Sequence, residues 1–233
     1  MFCGFLVITL WSIDSGRTGE LVPREQSAAA GQTRLRYWLY LPEAYETQDK
    51  WPLMLFLHGG GEGGGELEKV KKHGPPKLLD QGASMPMIVV APQNPSETQF
   101  WDDQALSRLL DELDTQLKVD SRRIYLTGLS RGGYGAWRLA IQNPDRFAAL
   151  VPISGGGAQP YVKRIKDLPT WVFHGAKDPV IPVSESERMV RALKAAGGDV
   201  RLTVYPDAAH DAWTEAYNTP ELYQWLAGQA RKN

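Results

Sequence analysis

Cysteine is almost missing from this chain. Cys3 is the only one, so neither an intrachain disulfide nor a thiolate metal cluster can form. Histidine is scarce too, and the four present, His58, His73, His174 and His210, include no H-x-x-x-H or H-E-x-x-H pair. No metal site is expected, and no cofactor. An excess of one charge is also lacking. The balance of 26 basic and 27 acidic residues contains no basic run, which leaves no electrostatic footprint for nucleic acid or an anionic membrane. A small or weakly charged partner molecule suits such a surface better. Long hydrophobic runs are absent as well: the apolar start M-F-C-G-F-L-V-I-T-L-W is too short to span a bilayer. It also lacks the basic n-region and prompt small-x-small cleavage site of a signal peptide. A buried strand and an added lead segment both fit it. The sequence reads as that of a soluble, cytoplasmic protein, with secretion left open by the apolar start.

What the chain does have is an alternation of short apolar runs and helical stripes. With 233 residues, 42% of them hydrophobic, it can bury a substantial core. Residues 1–32 carry Gly, Pro and an Ala-Ala-Ala-Gly stretch without clear period, and are expected to form a loop or peripheral strands. Arg34–Leu41 alternates and is rich in aromatics, as a strand ending at Pro42 should. Leu53–Leu57, Met87–Val90, Ile124–Thr127, Ala149–Ile153 and Thr170–Phe173 read as buried strands, and Val200–Tyr205 as a last one. Between them, Trp101–Val119 carries Leu106, Leu109, Leu110, Leu113 and Leu117 at helical spacing. Further helices are expected over Tyr134–Gln142, Ser184–Ala196 and Ala212–Leu226, and one over Glu66–Leu79 interrupted at Gly74-Pro75-Pro76. Strand and helix alternation of this kind predicts an open, mostly parallel sheet with helices on both faces. No linker divides residues 33–233, so they are expected to form one domain.

The densest chemical signal is Ile124–Gly133, I-Y-L-T-G-L-S-R-G-G. Gly128-Leu129-Ser130-Arg131-Gly132 is G-x-S-x-G on strand, turn and helix, the context in which that pattern denotes a nucleophile on a sharp turn. Glycine two residues to either side lets strand and helix pass closely. A serine that merely caps a helix would look similar in isolation, so the partners of Ser130 decide. In open parallel sheets, ligands and reacting groups gather beyond the carboxyl ends of the strands. The strand ends here offer His58-Gly59-Gly60-Gly61, Ser130, Asp178 and His210, the titratable groups in the order Ser, Asp, His.

With these motifs, together with His174-Gly175-x-x-Asp178-x-x-Ile181-Pro182, the chain from about Arg34 onward resembles the α/β-hydrolase superfamily. It is most similar to the cap-less carboxylesterases and to feruloyl-esterase-like and prolyl-oligopeptidase-like domains. The resemblance implies an α/β-hydrolase fold without a large cap domain. It also implies hydrolysis of short-chain carboxylic esters through an acyl-enzyme. Ser130 would be the nucleophile, His210 the general base and acid, and Asp178 the group that orients the imidazole. Asp207 and Asp211 are rivals for the last role by position, better read as a turn residue and a helix N-cap. The backbone N–H of Arg131, with those of Gly60 and Gly61, would form the oxyanion hole. His58 and His174 are assigned supporting roles in their loops, and His73 is expected to be a solvated loop residue. Gln93, Phe100, Trp101 and Trp213 fall near the expected rim. Of these, Gln93, Trp101 and Trp213 are candidates to contact an ester substrate, although aromatics are as readily core.

Gly59-Gly60-Gly61-Glu62-Gly63-Gly64 also satisfies G-x-G-x-x-G, the dinucleotide fingerprint. The acid that such a site needs after its second strand is missing, since the Met87–Val90 strand ends in Gln93-Asn94. Pro75-Pro76 also spoils a continuous helix beneath the loop. Two alternatives share the fold: a peptidase or amidase using the same three residues, and a non-catalytic binding protein. The latter should lack one of the three, and none is missing.

Overall fold

The computed structural model describes residues 18–231; the apolar start, with its strand or lead reading, lies outside them. Eight strands form one sheet in the order β1-β2-β4-β3-β5-β6-β7-β8. At one edge β1 (Leu21–Glu25) pairs antiparallel with β2 (Arg36–Tyr40), which is antiparallel to β4 (Ile88–Pro92). The other strands run parallel: β3 (Trp51–Leu57), β5 (Val119–Leu129), β6 (Ala149–Ile153), β7 (Thr170–Gly175) and β8 (Val200–Tyr205). The N-terminal segment thus contributes one peripheral strand to the same sheet.

Strand β3 explains the two-sided core. All seven of its residues are buried, and period two sends Leu53, Leu55 and Leu57 to one face and Met54 and Phe56 to the other. On the first face lie α2 (Asp103–Gln116), α3 (Arg131–Gln142) and α4 (Ser184–Ala195). On the second lie α1 (Gly74–Asp80), α5 (Trp213–Tyr217) and α6 (Pro220–Ala227). Helix α2 buries Leu106, Leu109, Leu110 and Leu113, the expected stripe. Each such leucine contributes about 2 kcal/mol by leaving water. The helix begins where the Asp102 carboxylate accepts the Ala105 N–H at 2.9 Å, a cap worth about 1 kcal/mol.

Three boundaries differ from expectation. Pro75 and Pro76 do not interrupt a helix but open α1, after a separate 3-10 turn over Leu67–Lys72. A proline in the first turn has no N–H to waste. The single helix expected over Ala212–Leu226 is two, because Pro220 starts α6 afresh. Strand β5 starts at Val119, five residues before its apolar run, with polar residues on its exposed first half. No helix among the described residues is long and apolar enough to cross a membrane.

Candidate active site

The sheet order brings the ends of β3 and β5 side by side, with Leu57 opposite Gly128. Since β4 lies on the outer side of β3 and β6 on the outer side of β5, the chain leaves these two strands in opposite directions, the switch point at which open parallel sheets form a crevice. Ser130 sits at its lip with φ 52° and ψ −119°, a conformation that costs a non-glycine residue about 1–3 kcal/mol. Packing enforces it. A Cβ on Gly128 would run into the Gly132 carbonyl, and one on Gly132 into the Leu57 carbonyl, so no other residue fits at either position. The Ser130 N–H is held by the Ile153 carbonyl at 2.9 Å, and the first turn of α3 closes with Tyr134 N–H on the Ser130 carbonyl.

His210 Nε2 lies 2.9 Å from Ser130 Oγ, and its Nδ1 lies 2.7 Å from Asp178 Oδ2. The other Asp178 oxygen accepts the N–H groups of Val180 and Ile181, both at 2.9 Å. Burial works to raise the Asp178 carboxyl. The bonds from His210, Ile181 and Val180 outweigh it and hold the group below the usual carboxylate range. With Asp178 committed to His210, the two rivals are occupied elsewhere: Asp207 pairs with Lys177 at the surface, and Asp211, just ahead of α5, accepts the Thr214 N–H and hydroxyl.

The loop after β3 is fastened from beneath by His58. Its Nδ1 donates to the Gly59 carbonyl at 2.7 Å and its Nε2 accepts the Asn94 N–H at 2.9 Å, which tie it to the loop after β4. Burial pushes this imidazole down to about 4, so the ring is neutral near pH 7. His174 bonds the Ile181 carbonyl and the Ser186 hydroxyl, and its Nε2 lies 3.2 Å from Asp178, bracing the loop that carries the carboxylate. Gly60 and Gly61 are exposed, and a Cβ on either would meet nothing within 4 Å.

The rim candidates are divided by the structure. Gln93 is buried, and its amide donates to the carbonyls of Glu62 and Glu66, so it shapes the loop from within rather than facing the crevice. Trp101 is buried too, its ring 4.7 Å from that of His58. Trp213 is buried as well, and of the three it is the one packed against His210, edge-on with ring centroids 5.1 Å apart. Phe100 is exposed at the surface beside Arg138. His73 is a correction: only 23% of its side chain is exposed, and it packs against Trp213 and lies 3.8 Å from the buried Glu62 carboxylate. Ser154 is a residue that pattern reading passes over. It follows β6 directly with φ 47°, is fully buried, and donates to the His210 carbonyl at 3.0 Å. A serine before three glycines at a strand end is its only sequence mark. Among the described residues no three His, Cys, Asp or Glu side chains gather as a metal site requires.

Sheet order, strained serine turn and strand-end crevice together define an α/β-hydrolase. Within that class the chain belongs to the dienelactone hydrolase family, whose description matches residues 90–224, more than half of it. A crystal structure of a thermostable esterase is 32% identical with a TM-score of 0.81, covering 91% of this chain and 64% of that one. The bifunctional acetylxylan esterase/xylanase XynS20E of Neocallimastix patriciarum is 25% identical over 146 residues, which is 60% of this chain and 21% of that protein. "Probable feruloyl esterase C" of Aspergillus niger is 25% identical over 198 residues, 82% of this chain and 73% of that protein. The chain therefore spans about a fifth of the first of these two relatives and most of the second.

Proposed function

We propose that the protein is a carboxylic ester hydrolase that works through an acyl-enzyme on Ser130. One observation carries the reading: His210 stands within hydrogen-bond distance of both Ser130 Oγ and Asp178, one ring nitrogen to each. With Nδ1–H given to Asp178, Nε2 presents its lone pair to the serine hydroxyl. Ser130 Oγ attacks the ester carbonyl while its proton passes to Nε2. The oxyanion is received by the N–H of Arg131 and those of Gly60 and Gly61. The imidazolium then protonates the leaving alcohol as the C–O bond breaks. Water repeats the sequence on the acyl-serine, releasing the acid and restoring Ser130.

Two observations support a substrate class: the short segment between α3 and Asp178, and the relatives. Their names refer to acetyl and feruloyl esters, small acyl groups that need no lid. The segment between α3 and Asp178 holds two strands, β6 and β7, a 3-10 turn and loops, too little for a cap domain. Short-chain and compact acyl esters are the proposed substrates. Ser130→Ala should abolish hydrolysis of p-nitrophenyl acetate and butyrate while the circular dichroism spectrum stays unchanged. A folded Ser130→Ala protein that kept most of its activity would refute the acyl-enzyme.

A further inference from the structure

The Arg131 side chain, as distinct from its backbone N–H, makes no contact with Ser130, Asp178 or His210 among the described hydrogen bonds. It reaches the loops after β3 and β4 and donates to four backbone carbonyls. Its Nη1 bonds Glu97 O at 2.6 Å, and its Nη2 reaches Gly60 O at 3.2 Å, Ser96 O at 3.3 Å and Gly59 O at 3.4 Å. Two of these belong to the loop after β3 and two to the loop after β4. A planar fork with five N–H groups can bridge them, which a lysine ammonium on its flexible stem cannot do at once.

We propose that the Arg131 guanidinium is a positioning residue that aims the oxyanion donors. The inference rests on the reading of Gly60 and Gly61 as those donors. The described backbone contains no cis peptide bond, and in a planar trans unit the C=O and the following N–H point in opposite directions. The Gly59 carbonyl shares its unit with the Gly60 N–H, and the Gly60 carbonyl with the Gly61 N–H. Drawing both carbonyls toward the guanidinium therefore turns both N–H groups the other way, away from the arginine.

His58 Nδ1 also holds the Gly59 carbonyl, so the Gly60 N–H is set twice over. Arg131 alone among the described hydrogen bonds holds the Gly60 carbonyl, so the Gly61 N–H depends on it. Packing offers no substitute, because neither glycine has side-chain neighbours where its own Cβ would lie. Arg131 also follows Ser130 directly, so a single residue joins the turn bearing the nucleophile to the loop bearing the donors. Preorganisation of this kind matters because donors must already face the place where charge will develop.

Arg131→Ala and Arg131→Lys keep the backbone N–H and remove only the fork. With p-nitrophenyl acetate, Arg131→Ala should lower kcat by about 10- to 100-fold, the scale of a misplaced or lost oxyanion donor. KM should stay within about threefold. Affinity for an alkyl boronic acid, whose tetrahedral adduct on Ser130 needs the same donors, should fall in parallel with kcat. A merely structural loss would lower the melting temperature or the active fraction without that parallel. If Arg131→Ala does not fold, Arg131→Lys carries the test, with kcat reduced about fivefold or more although the charge is kept. A folded variant with kcat within twofold of wild type, or with the whole loss in KM, overturns the inference. Should Ser130→Ala be inactive while the Arg131 variants are fully active, only the positioning role fails. Activity in Ser130→Ala would instead remove the reading on which it rests.

Discussion

Asp178 shows how one residue serves both the fold and the crevice. Oδ1 closes its own loop through the N–H groups of Val180 and Ile181, which leaves Oδ2 free to take the His210 N–H. Asp178→Asn should preserve the first pair of bonds and invert the second, because an amide N–H facing Nδ1 forces the proton onto Nε2. The imidazole could then no longer accept from Ser130. We expect kcat on p-nitrophenyl acetate to fall about 10³- to 10⁴-fold with a melting temperature close to wild type. Near-normal turnover in that variant would take Asp178 out of the chemistry. At this scale Ser130, Asp178 and His210 were legible because strand-end position and local pattern name them. Gln93 and Trp101 were not, because nothing local distinguishes a side chain at a rim from one turned inward beneath it. For the same reason His73, beside Gly74-Pro75-Pro76, read as solvated although Trp213, far along the chain, covers it.

Among the elements, the pair β5–α3 is the most tightly constrained. Its sharp reversal exists only because Gly128, Gly132 and the Leu57 carbonyl share a space too small for any Cβ. Gly132→Ala should therefore cost more than about 4 kcal/mol, or yield no folded protein, since the obstacle is backbone and cannot rotate away. Gly61→Ala meets open space and should leave the melting temperature within about 2 °C of wild type. Thermal melts of the two variants side by side check both, and a Gly132→Ala protein as stable as wild type would contradict the packing argument. The continuous apolar strands were readable because burial on both faces leaves no ambiguity of period. The first half of β5 was hidden, as four polar residues, Asp120–Arg123, separate the buried Val119 from the apolar run that starts at Ile124. The start of α1 misled because prolines that break a helix interior are welcome in its first turn.

For the molecule as a whole, a neutral histidine buried beneath the crevice makes stability depend on pH. His58 is pushed from 6.5 down to about 4 by burial. Between those values the unfolded chain binds a proton that the folded chain refuses, so the stabilisation is fully present above about pH 6.5 and is lost as pH falls toward 4. The largest loss from this group is about 3 kcal/mol. Asp178, whose carboxyl is also held low, adds to the loss at more acidic pH. Urea denaturation at about pH 7.5 and pH 5 should give a lower unfolding free energy at the acid value. The difference should shrink in His58→Gln, and equal stabilities at the two pH values in wild type would refute the account. By itself the sequence determined which runs become strands, that they form a mostly parallel sheet, and which serine, aspartate and histidine stand at its carboxyl edge, because periodicity and strand ends are local properties. Only the tertiary structure decided which side chains turn inward beneath the crevice and that the Arg131 fork reaches the carbonyls of Gly59 and Gly60. Those contacts join residues distant along the chain, and their geometry depends on the packing of the finished sheet.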